Sequence, residues 1–364
     1  MYLPDFKVEQ WMTDYEQLAI FNLTDTCVDA LSLQDLLDFQ KVDCSSLSLD
    51  YGEICGDKEL RKEILSLYST GTIDNITCAN GCLQANELVM HTLLSDKDHV
   101  ITLAPGYQQF WDVPKSLGCE VSIITLQEKN NWMPTIEDFK DCFQENTKLI
   151  IINNPNNPTG TCLSQEFLEE LIKLCRQKNI YILCDEVYRD PMVQTYSISD
   201  HYELGISTGS LSKMYALAGL RFGWVKANLE LIHQINVRRD YSMISTGPLV
   251  DKLACIALSH KEEILTRSKY IIENNKKVLK DWLKENPHFT FVFPECGSVG
   301  FLKYDFSIPS KDFALRLLKE KGIFFVPGSC FDLESHFRLG LGRNEENFKN
   351  GLEQLSIWTK ENME

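Results

Sequence analysis

The chain has 364 residues, 44% of them apolar, and its 52 acidic against 36 basic side chains give a net charge of −16. This composition suits one large globular domain or two around a sizeable core, and it excludes a disordered chain or a fibre. No cluster of Lys and Arg is large enough for a nucleic-acid surface, and there is neither an export signal nor a run of about eighteen apolar residues, so a cytoplasmic protein away from nucleic acid and membrane is expected.

In chain order, the first forty residues carry one amphipathic helix, 31–39. They are too short to fold alone and are expected to pack on the C-terminal part. From about 76 to 227, short β-branched or apolar runs alternate with longer amphipathic ones. This predicts strands at 76–79, 99–104, 120–126, 148–153, 180–185, 205–209 and 223–227, in a mainly parallel sheet between helices. The helix over 163–177 places Phe167, Leu168, Leu171, Ile172 and Cys175 on one face behind a Ser164 cap.

After Pro248 the pattern changes to helices at 249–258 and 260–286, strands at 290–294 and 300–304, a helix at 310–320 and a strand at 323–326. A closing helix, 345–360, carries a core stripe of Phe348, Leu352, Leu355 and Trp358. The expected fold is α/β, with a large domain at 41–275 built on the seven-stranded sheet and a smaller α/β domain at 276–364, completed by the 1–40 segment. The 13 cysteines stand singly in apolar stretches, without a Cys-x-x-Cys pair or a Cys/His cluster, and read as reduced core residues with no metal.

Ligands collect at the carboxyl ends of parallel strands, and the chemically loaded residues fall there. Ser210-Leu-Ser212-Lys213, followed by Gly219-Leu-Arg221, brings an amine, two hydroxyls and a guanidinium around one turn. The amine can form an imine with an aldehyde, and the guanidinium can grip two phosphate oxygens, which together suggest pyridoxal phosphate. The same residues would also serve an ordinary helix start, capped by Ser210 or Ser212 with Lys213 in water.

Asp185 closes the strand Tyr181-Ile-Leu-Cys-Asp185, where a charge needs a partner such as a protonated pyridine nitrogen, or caps a following helix. Tyr188 follows it. Asn157 sits in the rigid turn Asn153-Asn-Pro-Asn-Asn157-Pro158-Thr-Gly160, and either side chain could donate to a phenolate oxygen. Gly81, Cys82 and Leu83 open the helix after the first strand and offer free amides to a phosphate. Tyr107, after Pro105-Gly106, would put an aromatic ring at the mouth of the same crevice.

With these motifs in order, the chain resembles fold-type I pyridoxal phosphate enzymes of the class I and II aminotransferase family, from about Leu47 to the C-terminus. The resemblance implies that Lys213 is the Schiff-base lysine and that Ser210 and Arg221, with Ser212, hold the phosphate. Asp185 then pairs with the ring nitrogen, Tyr188 and Asn157 address the phenolate oxygen, and Tyr107 stacks on the ring. It further implies a homodimer in which Tyr51 reaches the partner's cofactor, with Arg338 of Phe337-Arg338-Leu-Gly340 gripping the substrate carboxylate.

Arg343 is the nearest rival to Arg338. Where many members have a glycine-containing closing segment, this chain reads Phe21-Asn-Leu-Thr-Asp25-Thr-Cys27-Val-Asp29, and Asp25 or Asp29 facing the substrate would favour a basic side chain. The implied activity is transfer of an amino group between an amino acid and a 2-oxo acid. Elimination, cyclisation or oxidation on the same fold is the alternative. A DNA-binding regulator would need a further module ahead of this domain, for which an acidic N-terminal segment of forty residues leaves no room.

Overall fold

The computed structural model describes residues 2–362. The N-terminal part contains α1 (Lys7–Tyr15), β1 (Phe21–Asn22), α2 (Leu33–Phe39) and α3 (Lys58–Leu65). The central part alternates β2 (Ile76–Ala79), α4 (Gly81–Leu93), β3 (His99–Ala104), α5 (Gln109–Ser116), β4 (Glu120–Thr125), α6 (Ile136–Cys142), β5 (Thr147–Asn153), α7 (Gln165–Arg176) and β6 (Tyr181–Asp185). There follow α8 (Ile198–His201), β7 (Gly205–Ser210), β8 (Gly223–Lys226) and α9 (Leu229–Arg239).

The remainder is α10 (Pro248–Ser259), α11 (Lys261–Glu285), β9 (Phe289–Phe291), β10 (Val299–Tyr304), α12 (Ser310–Lys321), β11 (Ile323–Phe324), β12 (Val326–Pro327), β13 (His336–Gly340) and α13 (Glu345–Asn362). Helix α11 runs unbroken through residue 275, where the sequence reading places a domain boundary.

The seven strands join in the order β2-β8-β7-β6-β5-β3-β4, with β8 antiparallel to both neighbours and the other pairs parallel. Parallel strands are buried on both faces, so they read as continuous apolar runs. Leu149, Ile150, Ile151 and Ile152 of β5 are all fully buried. Register then decides what meets at the carboxyl edge: Asn153 stands opposite Asp185, and Asp185 opposite Thr208. Covering helices start where expected, as at α7, where Ser164 Oγ accepts from the Phe167 N–H at 3.2 Å.

The smaller lobe is an antiparallel sheet in the order β12-β13-β10-β9, beside a parallel pair β1–β11 in which Phe21 faces Ile323. Its core is aromatic, with Phe313 packed against Tyr304, Phe337 and Trp358 at 4.9–5.1 Å between ring centroids. The single strand expected at 323–326 is split, one half pairing with β1 and the other with β13. The first forty residues hold two helices, not one. The extra one, α1, has no side-chain cap; it is held by docking, with the Trp11 indole donating to the Phe325 carbonyl at 2.9 Å and the Lys7 N–H donating to Gln108 Oε1 at 2.8 Å.

Candidate active site

Asp185 ends β6 buried, 5% exposed, and its hydrogen-bond partners are all neutral. Asn86 Nδ2 donates to Oδ2 at 2.7 Å, the Val187 N–H to Oδ1 at 2.9 Å and the Cys82 thiol to Oδ1 at 3.4 Å. Burial pushes this carboxyl above its ordinary pKa, and the hydrogen bonds only partly offset it. A cation beside the carboxylate would complete the arrangement.

Lys213 follows β7 in a turn, and no helix starts there; the nearest helical element is a single 3₁₀ turn at Ala218–Leu220. The Ser210/Ser212 capping alternative therefore fails. Lys213 Nζ donates to Thr26 Oγ1 at 2.6 Å, lies 3.7 Å from Cys27 Sγ and sits 5.8 Å from the centre of the Tyr188 ring. Burial opposes its charge, but the Tyr188 phenol, the Cys27 thiol and the Asp25 carboxylate hold its pKa above the ordinary value.

Arg221 and Gly81 face each other across the start of α4. Arg221 is itself in the left-handed region (φ 53°), anchored by donation from Nη1 to the Ala218 carbonyl at 3.1 Å. Gly81 has φ +77°, and a Cβ there would lie 2.6 Å from Arg221 Nη2, so glycine keeps the space beside the guanidinium open. Ser210 and Ser212 are buried beside it, with Ser210 Oγ accepting from the Ser212 N–H at 3.2 Å. Together with the amides of Cys82 and Leu83 at the helix start, this is a donor-rich anion seat.

The Asn153–Gly160 turn brings Asn157 to the same cavity. Its N–H donates to Asn153 Oδ1 at 2.8 Å, and its own side-chain Oδ1 is buried with no partner. Tyr107 stands at the mouth, its hydroxyl donating to Glu9 Oε1 at 3.0 Å and its ring 4.8 Å from that of Phe6. On the opposite wall, Arg338 of β13 is 4% exposed. It donates from Nε to Thr24 Oγ1 at 3.3 Å and has no carboxylate partner among the described residues.

One cavity of about 380 Å³ collects Lys213, Asp185, Tyr188, Asn157, Ser210, Ser212, Arg221, Cys82, Leu83, Tyr107 and Arg338. Gly81 flanks it behind Arg221, and Tyr51 is outside it, 65% exposed. Arg343 is held between Asp25 and Asp29 at 3.4 Å from each. Of these two carboxylates, only Asp25 reaches the cavity wall, so Asp29 does not face a substrate.

Sequence reasoning missed Thr26, Asn86, Asn153 and the α1 residues Val8, Glu9 and Met12, which also line the cavity. Asn86 had a usable signal: it lies four residues after Cys82 on α4 and so shares its face.

Three features fit pyridoxal phosphate: a buried carboxylate hydrogen-bonded only by neutral groups among the described residues, an anion seat kept open by Gly81, and a buried Asn157 Oδ1 without a partner among them. The family model for aminotransferase class I and II matches residues 33–355, and the chain belongs to that family. It is a pyridoxal phosphate-dependent transaminase, acting between amino acids and 2-oxo acids.

Among solved structures, a pyridoxal phosphate-dependent aminotransferase from Streptococcus suis is 37% identical, with a TM-score of 0.95 and 99% of each chain covered. A glutamate-pyruvate aminotransferase of Haemophilus influenzae is 30% identical over 78% of this chain and 77% of its own. Capreomycidine synthase of Streptomyces vinaceus is 25% identical over 97% of this chain and 93% of its own.

Proposed function

We propose that Lys213 is the residue that carries the cofactor and moves the proton in this transamination, with Arg338 orienting the substrate. The observation that supports it is the meeting of the Lys213 amine, the neutral-partnered Asp185 and the Asn157 side chain in one cavity. When bound, pyridoxal phosphate supplies an aldehyde for the amine and a protonated ring that draws electron density away from the substrate Cα.

In this reading Asp185 holds a proton at the ring nitrogen, and Tyr188 and Asn157 address the ring's phenolic oxygen. Arg221, Ser210, Ser212 and the amides of Gly81, Cys82 and Leu83 bind the phosphate, while Tyr107 covers the ring face. Arg338 makes a two-pronged contact with the substrate carboxylate and so fixes the direction of the Cα–H bond. Lys213 Nζ, whose pKa the Tyr188, Cys27 and Asp25 groups hold up against burial, must shed its proton before its lone pair can act; it then takes the proton from Cα.

The exposed Tyr51 supports a homodimer in which it completes the partner's phosphate seat. A cytoplasmic location agrees with the absence, among the described residues, of a helix long and apolar enough to cross a membrane.

The test is a half-reaction. Single amino acids added to loaded enzyme should convert the cofactor to its aminated form, read by absorbance and chromatography, and sustained turnover should require a 2-oxo acid. Release of ammonia from one amino acid without any acceptor would point instead to a lyase.

A further inference from the structure

Two cysteines from opposite lobes meet behind the site. Cys162 follows the Asn153–Gly160 turn of the seven-stranded lobe, and Cys296 precedes β10 of the smaller lobe; both are half-buried. The backbones that carry them are in contact. A Cβ on Gly160 would lie 2.3 Å from the Val299 carbonyl oxygen and 2.6 Å from Pro294, and one on Gly297 would lie 3.4 Å from Pro155 and 3.6 Å from Tyr188.

The two thiols are close enough to perturb each other's ionisation, and Gln194 Nε2 donates to Cys162 Sγ at 2.7 Å. The neighbouring Cys296 thiol holds the Cys162 thiol below its ordinary pKa, against burial and the Glu295 carboxylate, with help from the Gln194 donor. The Gln194 donor stabilises negative charge on Cys162 Sγ, and the thiolate is the form that attacks a disulfide.

We infer that Cys162 and Cys296 form a reversible disulfide-forming site that takes low-molecular-weight disulfides of the glutathione type as oxidant and joins the two lobes covalently. The electrons balance in two exchanges. Cys162 thiolate attacks one sulfur of the oxidant, its S–S bond breaks, and the released thiolate takes up the proton that Cys162 lost. Cys296 then gives up its proton and attacks Cys162 Sγ, expelling the second small thiolate, which is protonated in turn. Two protein thiols are oxidised, and one small disulfide is reduced to two thiols.

The position gives the bond a consequence. Ser298, two residues beyond Cys296, is fully buried and donates to the Thr26 carbonyl at 2.6 Å, while Thr26 Oγ1 accepts from Lys213. Oxidation would therefore pin the Asn157 turn to the strand start that supports Thr26, restraining the two walls of the cavity against each other.

The experiment uses the full-length holoprotein, incubated with oxidised glutathione, alkylated under denaturing conditions and weighed by mass spectrometry. Expected are loss of 2 of the 13 alkylatable thiols, a Cys162–Cys296 linked peptide after digestion, and restoration by dithiothreitol. The oxidised protein should also melt higher than the reduced one, because the link closes a long loop. Cys162→Ser and Cys296→Ser should each lack the linked peptide. The inference is overturned if all 13 thiols remain alkylatable, if a glutathione adduct persists on Cys162 without resolving, or if the link joins other cysteines.

Discussion

Asn86 is clamped between Thr208 and Asp185: its Oδ1 accepts from Thr208 Oγ1 at 2.6 Å and its Nδ2 donates to Asp185 Oδ2 at 2.7 Å. The threonine fixes which end of the amide faces the carboxylate, so Oδ2 receives a donor while Oδ1 takes the Val187 N–H and the Cys82 thiol. Hydrogen bonds to a charged group are worth about 1.5–3 kcal/mol, or roughly tenfold to a hundredfold in an equilibrium. Asn86→Ala should therefore weaken cofactor binding by at least about tenfold, measured by titrating apoprotein with pyridoxal phosphate and following fluorescence. An unchanged dissociation constant would remove Asn86 from the cofactor machinery.

Arg338 is a buried guanidinium without a carboxylate partner among the described residues, which is costly unless an anion arrives. Arg338→Gln should raise KM for both the amino acid and the 2-oxo acid by on the order of a hundredfold, with cofactor affinity within about twofold of the parent. Arg338→Lys should recover only part of the loss, because a point charge does not reproduce the fork. A large fall in cofactor binding instead would mean that Arg338 supports the fold of the cavity, not the substrate.

These two residues differ in how far the sequence betrayed them. The strands of the large sheet are legible because burial on both faces demands unbroken apolar runs such as Leu149–Ile152. The strand carrying Arg338 is harder to see, since a charge interrupts Phe337 and Leu339 where burial would predict another apolar residue. The α1 helix was illegible for a different reason: Val8 and Trp11 are its only buried side chains, and its order comes from contacts with Gln108 and Phe325, about 100 and 300 residues away. Asp29 misled because a carboxylate near a presumed lid looks the same whether it faces a ligand or, as here, an arginine.

Asp200 and Lys226 form an ion pair at 2.7 Å with both side chains shielded from solvent, and Asp200 also accepts from the Ser69 and Thr70 N–H groups. Burial would raise the Asp200 pKa, but the Lys226 and Ser69 hydrogen bonds outweigh it and the net direction is down. A depressed folded-state pKa contributes stability that is present above the unfolded value, about 3.9, and is lost as pH falls through the lower folded value. Asp200→Asn should thus cost about 3 kcal/mol at neutral pH in denaturant unfolding, with the gap to the parent narrowing below about pH 4. A gap that stayed constant down to acid unfolding would contradict the assignment.

Tyr51 is 65% exposed and outside its own chain's cavity. Tyr51→Phe should leave the sedimentation coefficient unchanged and accelerate release of the cofactor about tenfold, the loss of one hydrogen bond to a dianion. Unchanged release from a protein that sediments as a dimer would separate Tyr51 from the phosphate.

The pairing of β1 with β11 ties Phe21 to Ile323. Because this ladder joins residues about 300 positions apart, the smaller lobe cannot close until nearly the whole chain has left the ribosome, whereas the seven-stranded sheet is complete in sequence by Lys226. Synthesis therefore brings out Lys213 and every strand of the large sheet before the strand that carries Arg338. The order in which the chain emerges thus separates Lys213 from Arg338, and a nascent chain stalled after the large sheet would test whether cofactor capture can precede substrate recognition.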